Sequence, residues 1–417
     1  GTRNTAQGIN LNRDYAKADA PETRAMLGLL RALDPVLYVD VHVSDGFDHG
    51  YDVTYTYAGW GRYVQSEAIT GWLNGAFQQG VDAHVRSQGH NPHFYPAAID
   101  TDDATKGLRV SSEGPRYSTG YGDYARIPTV LVEMHNLKPY RQRVLGAYAL
   151  IEGALRTVSE NLPALQEAIA ADRAARPETL VVRWERDDTP VETRPFTGVA
   201  FETYRSPASG AEEVRWLGQT EEWQMPVIGQ RPVASVRLPA AWWVPAAETR
   251  VIELLDRHGI AYERTDAARN LELDVVTMRD ARLEAVYDTR VRMAGEAVHA
   301  RRTVAMPAGS VRVPYDQPRG LLAAALLEPE AVDSLFAWGF FPRMLERHGN
   351  LERYNAVPIA ERMLEADPEA RPAFAQWQAE NPAQADDPAA RLRWFTDRAG
   401  YADASHLVYP IARELAR

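Results

Sequence analysis

Residues 1 to about 175 alternate between helical and strand patterning. Asp19-Ala20-Pro21-Glu22 has the form of a helix start, with Pro and Glu in the first turn. Met26, Leu29, Leu30 and Leu33 then repeat at helical spacing, the stripe of an amphipathic helix that Asp34-Pro35 ends. Val36-Leu37-Tyr38-Val39-Asp40-Val41 follows and predicts a buried strand finishing on His42. A second helix is predicted across 61–85. A second apolar strand, Thr129-Val130-Leu131-Val132, finishes on Glu133, and one or two long helices are predicted from Arg141 to about Ala175. Apolar strands flanked by helices imply an α/β fold, a mixed, mostly parallel sheet with helices on both faces. Ligands of such sheets sit beyond the carboxyl ends of the strands, where His42 and Glu133 fall.

The character changes near Arg176-Pro177. Residues 179–245 carry β-rich pieces such as Leu180-Val181-Val182-Arg183-Trp184 and Ala234-Ser235-Val236-Arg237-Leu238, divided by Pro and Gly, and predict a β-sandwich or small β domain. One helix interrupts it from Glu248 to His258, and Gly309 to Pro314 closes it. From Gly320 onward the pattern is helical, over Leu321–Leu327, Ser334–His348 and Ile359–Ala366, with Ala379–Ala390 as a polar, Pro-containing loop. Three regions are therefore expected: 1–176, 177–318 (β-rich) and 319–417 (mainly helical).

A net charge of −11 argues against a general nucleic-acid binder, which needs a basic face to displace counterions. No apolar stretch is long enough for a membrane span. The absence of Cys removes disulfides, thiolate nucleophiles and Cys-based zinc sites. Lys stands only at positions 17, 106 and 138, so the basic residues are nearly all Arg. That bias fits a GC-rich coding genome, and an isolated Arg carries little signal.

The candidate chemistry lies in the first third. A neutral imidazole at a rigid strand end is a good zinc donor, although a lone His there is more often a hydrogen-bonded core residue. Glu133, after an apolar run, is expected to be partly desolvated, with a raised pKa suited to a general base; an ion-paired carboxylate at a sheet edge is the plainer reading. His135, two residues on, reads as structural or supporting. Arg3 and Arg13 offer planar bidentate donors for a carboxylate or developing oxyanion, and Asn12 adds an amide. The Gly- and Tyr-rich segment Glu113–Tyr124 is suited to cover a cleft and present phenols, or simply to pack. Arg116 within it would favour an acidic ligand group, against the plainer reading of a surface arginine.

Taken in order, Arg3, Asn12-Arg13, Asp40-Val41-His42 and Glu133 resemble the carboxypeptidase A-like zinc metallopeptidases over roughly residues 1 to 155. The resemblance implies a zinc carboxypeptidase acting on peptides with a free C-terminal carboxylate. In it Glu133 is the general base, Arg3 polarises the scissile carbonyl, Asn12 and Arg13 grip the carboxylate, and His42 is the third zinc ligand. Tyr117, or less readily Tyr121, matches the tyrosine that caps bound substrate. Residues 309–341, with Val313-Pro314-Tyr315 and Trp338-Gly339-Phe340-Phe341, resemble the C-terminal extension of large bacterial members, and a periplasmic or secreted location follows from the same likeness.

The family's first two zinc ligands come from a His-x-x-Glu motif, and no His here has Glu three residues on; His348 has Glu352 four on. The chain opens at Gly1 without a Met, which fits an N-terminally truncated catalytic domain. Such a piece is expected to hold at most one zinc ligand, to be inactive and metal-free, and to leave a sheet edge uncovered. Two other readings stay open: an amidohydrolase on acyl-amino acids or cell-wall peptides, and a non-catalytic carboxylate or peptide binder. A glycosidase using Glu113 and Glu133 is a distant fourth.

Overall fold

A computed structural model describes residues 2–44, 46–348 and 351–416 as a mixed α/β fold. In the first region β1 (Tyr38–Val43), β2 (Val53–Thr56), β3 (Pro92–Phe94), β4 (Leu108–Arg109) and β5 (Thr129–Met134) alternate with helices. Four of these strands form one sheet in the order β1-β5-β2-β3. β1 runs parallel to β5, β2 antiparallel to it, and β3 parallel to β2, so the sheet is mixed.

The apolar run of β5 is divided by strand alternation. Val130, Val132 and Met134 join Val53 and Tyr55 of β2 in a core with Trp72, Phe77 and Leu150. Leu131 and Glu133 turn to the opposite face. Helix α1 (Pro21–Leu33) begins at the proline and ends at Asp34, whose left-handed conformation (φ 43°) closes its last turn. Helix α2 (Glu67–Trp72) passes through a π turn, Leu73–Phe77, into α3 (Gln78–Ser87). Helix α4 (Ser118–Ala125) leads into β5, and α5 (Tyr140–Ala174) is long, with a break at Asn161 two residues before Pro163.

β1 departs from the expected buried strand. It is an edge strand, with Val41 47% and Val43 50% exposed, because among the described residues no strand pairs with its outer side. α5 likewise exposes Tyr140, Val144, Tyr148, Ile151 and Leu155, spaced to share one face.

The β-rich stretch is not a sandwich. β6 (Thr179–Arg205) and β7 (Glu212–Arg237) form one long antiparallel hairpin, and β7 extends it by pairing in parallel with β4 of the first region. A second sheet takes β8 (Ala241–Val244), β9 (Glu263–Arg264), β10 (Arg269–Tyr287), β11 (Arg290–Met306), β12 (Val311–Pro314) and β13 (Ala412–Glu414). Its order is β11-β10-β13-β8-β12-β9, so the last strand of the chain lies between β10 and β8.

Helix α6 (Thr249–His258) is as expected. α7 (Gly320–Leu327) is buried at all eight positions, in keeping with its uniformly apolar sequence. Ser334–His348 does not form a helix. Gly339 has φ 68°, and a Cβ there would lie 2.1 Å from the Val291 carbonyl oxygen, so the chain turns against β11 and continues as a short 3-10 turn, Pro342–Leu345. Residues 379–390 are more helical than expected: Pro382–Ala385 is a short helix, and Asp387 caps another starting at Pro388.

One apolar core joins all three regions, combining Leu27 and Tyr121 with Trp242, Val311, Leu322 and Ile411. β13 is fixed by charge as well as by pairing. The buried Arg413 donates to Glu328 (3.0 Å), to Asp274 (2.7 Å) and to the Arg237 carbonyl, while Trp242 donates its indole N–H to Glu328 (2.9 Å). Truncating Arg413 leaves the buried Glu328 with only the Trp242 N–H and Asp274 with only His299 (2.9 Å). Arg413→Ala is therefore expected to cost about 3–5 kcal/mol in urea unfolding; a loss under about 1 kcal/mol would mean water replaces the pairing.

Candidate functional site

The parallel register pairs Tyr38 with Thr129, Asp40 with Leu131 and His42 with Glu133. Paired residues project to the same side of a sheet, so Asp40, His42, Leu131 and Glu133 share the face opposite the helical core. Thr54 and Thr56 of β2, paired with Glu133 and Leu131, extend that face. A cleft of about 640 Å³ opens on it.

Arg3, Asn12, Arg13, Tyr117 and Glu133 all line this cleft. They come from the N-terminal segment, the turn before α4 and the end of β5, and tertiary folding alone brings them together. His42 is not part of the wall but stands behind Glu133, its Nδ1 3.8 Å from Glu133 Oε1 and its Nε2 3.0 Å from Asp40 Oδ2. The Asp40 hydrogen bond raises the His42 pKa above its ordinary value, against the opposing effect of burial. An imidazole held by a carboxylate on one nitrogen, with the other too far from its neighbour for a hydrogen bond, is the usual supported form of a single metal ligand. Among the described residues, no group of three or more His, Cys, Asp or Glu side chains is assembled to hold a metal ion. The donor set therefore fits one ligand position and not a complete site.

Arg3 is exposed at the cleft mouth and pairs with none of the described residues. Asn10 caps a single 3-10 turn, Leu11–Arg13, by accepting from Asn12 N. Asn12 Oδ1 in turn accepts from Ser118 N (2.8 Å), joining this turn to the start of α4. The Arg13 guanidinium stacks on the Tyr117 ring, 4.4 Å from its centroid, and donates through Nε to the Tyr287 hydroxyl (3.1 Å). The two tyrosine candidates separate cleanly. Tyr117 faces the cleft, whereas Tyr121 is buried against Tyr15 and His258 in the core and is not a capping residue.

His135 is buried and structural, 3.0 Å from Asp48 and accepting from His49 N. Arg116 is not a surface arginine. It lies half-buried in the cleft wall with Nε 3.1 Å from the fully buried Asp333, so its charge is already matched.

Several wall residues carried no usable signal in the sequence. Trp184 of β6, Gln230 of β7 and Asp333 reach the cleft from more than 40 residues beyond Glu133, and only the long-range topology reveals them. Glu113 is the most consequential. Its carboxylate accepts from the Thr119 hydroxyl and, at 3.4 Å, from Gly59 N, yet burial pushes its pKa up to about 7. Its place beside Pro115 and Tyr117 was legible, but the desolvation depends on Gly59 and α4 folding over it.

Compared with known proteins, the chain matches no family model, no curated protein and no solved structure.

The Glu113 shift has a defined pH signature. The fold binds this proton more tightly than the unfolded chain, where the carboxyl has its ordinary value of 4.5. The associated stability is complete below that value and is lost as the pH rises through about 7. Between about pH 5 and 7.5 the protein should therefore lose about 1–3 kcal/mol more than Glu113→Gln in urea unfolding. Parallel pH profiles would show that Glu113 is ionised in the fold.

Proposed function

We propose that the cleft binds the C-terminal carboxylate of a peptide and belongs to a zinc carboxypeptidase site in which Glu133 is the general base. The observation that carries this reading is the convergence of Arg3, Asn12, Arg13, Tyr117 and Glu133 on one cleft, with His42 3.8 Å behind the glutamate. Arg13, held by the Tyr117 ring, by Tyr287 and by its own Nη1 bond to the Asn12 carbonyl (2.6 Å), has outer N–H groups remaining for a carboxylate. The Asn12 Nδ2 amide, which donates to none of the described residues, adds a further donor. Arg3 is the cation for charge that develops on a carbonyl oxygen. Tyr117 covers the bound end of the substrate.

Were zinc held, His42 would be one of its ligands and the ion would supply a polarised carbonyl and an acidified water; the described residues assemble no group of three donors for it. Glu133, only 8% exposed in the cleft lining, is the general base that takes a water's proton and returns it to the leaving amine.

A second reading has its own support. With one imidazole and no assembled group of three metal-binding side chains among the described residues, the same grip serves a non-catalytic binder of peptide carboxylates.

Peptide binding tests the carboxylate grip that both readings share. The chain should bind a peptide with a free C-terminus in preference to its C-terminal amide, and Arg13→Ala should weaken the free acid by about tenfold or more while leaving the amide nearly unchanged. Equal binding of acid and amide would defeat both readings. Zinc titration makes a further check: one imidazole predicts weak binding lost on dialysis, and tight stoichiometric zinc would show a ligand set not recognised above. Wherever hydrolysis is observed, Glu133→Gln should lower kcat by about 10²–10⁴-fold with little change in KM.

A further inference from the structure

The carboxylate-binding turn has little to hold it by itself. Leu11–Arg13 is a three-residue 3-10 turn with no buried residue, and an element so short is not rigid in isolation. Its external support comes from the start of α4, through Ser118 N and the Tyr117 ring, and from the tip of the β10–β11 hairpin, more than 270 residues away. The Tyr287 hydroxyl accepts from Arg13 Nε (3.1 Å). Asp288 Oδ1 accepts from Asn10 N (3.1 Å), the residue that caps the turn, and Asp288 Oδ2 lies 3.1 Å from the buried Lys17 ammonium. Arg290 grips Asp19 with two hydrogen bonds of 2.6 Å.

The tip itself is a two-residue turn with φ 46° at Asp288 and 69° at Thr289. Positive φ at both positions is the geometry for which Asn-Gly is favoured, and a β-branched Thr there is strained. The strain accompanies a tip aimed at one place: Tyr287, Asp288 and Arg290 each contact the segment from Asn10 to Asp19.

The geometry points to the β10–β11 tip as a positioning device for the carboxylate grip, with Tyr287 setting the Arg13 guanidinium plane and Asp288 anchoring the turn that carries it. This rests on the carboxylate-binding reading above and gives the C-terminal half of the chain a part in ligand selection. Tyr287 need not touch the ligand. Its oxygen takes the Nε–H while the Tyr117 ring packs on the guanidinium face, so Arg13 presents its outer N–H groups in one orientation rather than several.

The test uses the full chain and two probes, tri-alanine with a free carboxylate and tri-alanine amide, with dissociation constants from ligand-observed NMR and melting temperature recorded alongside. Tyr287→Phe keeps the ring and removes only the acceptor. It should weaken the free acid about fivefold, leave the amide unchanged and leave the melting temperature within about 2 °C. Asp288→Ala, which frees the turn by a different route, should narrow the acid-to-amide preference in the same direction. In an Arg13→Lys background, which has no Nε–H, Tyr287→Phe should have no further effect. Full discrimination in both hairpin variants, or an undiminished Tyr287→Phe effect beside Lys at position 13, overturns the hairpin's role and leaves the carboxylate reading standing. A parent chain that binds acid and amide alike overturns the carboxylate reading itself, and the positioning role with it.

Discussion

The site depends on the parallel pairing of β1 with β5 more than on any other contact. That register places His42 opposite Glu133 and Asp40 opposite Leu131, and strand alternation puts all four on the face away from the helices. A slip of one residue would send His42 and Asp40 into the apolar layer and bring Val41 and Val43 to the polar face. What holds the register is asymmetric. β5 is buried throughout and flanked on both sides, whereas among the described residues β1 pairs only along its inner edge. The side chain best suited to ligate a metal therefore sits on the less supported strand, and its Asp40 partner fixes the imidazole where the backbone is least constrained.

From this sheet outward, the cleft is assembled from distant parts of the chain. The segment after β1 is held by the β6–β7 hairpin: Gly50 N donates to the Thr197 carbonyl, and Thr197 N donates to the Tyr51 hydroxyl. The base of the same hairpin contributes Trp184 and Gln230 to the wall. Asp333 pairs with Arg116 from the far side, and Arg3, Arg13, Arg109 and Arg183 are further arginines of the cleft lining.

The first-region elements were legible because their signals are local. The Pro21 start and Asp34 stop of α1, the apolar runs of β1 and β5 and the long helix after β5 each announce themselves within a dozen residues. The grouping of Arg3, Asn12, Arg13 and Glu133 was legible only through their order and resemblance, since no single one of them is distinctive in so arginine-rich a chain. The failures share a cause. The exposure of β1, the fate of 334–348 and the settings of Arg116 and Glu113 are each decided outside the local window that periodicity reads. Gly339 against Val291 turns a helical pattern into a tight turn, and Asp333 converts a surface arginine into a wall residue. Periodicity reports which face of an element is apolar, not whether anything arrives to cover it.

That same dependence bears on how the cleft can be formed at all. The Leu11–Arg13 turn, the cleft wall and the core around α7 all require chain from beyond residue 280, and β13 enters its sheet only when the last residues are in place. Closing contacts over such separations costs loop entropy before it is repaid, so the first region cannot reach its final geometry ahead of the rest. The buried Arg413 cluster makes the dependence steeper. Glu328 and Asp274 are buried beside Arg413, and a sheet without β13 would leave them only Trp242 and His299 as partners. The geometry of the segment that carries Asn12 and Arg13 therefore depends on contacts made late in the chain.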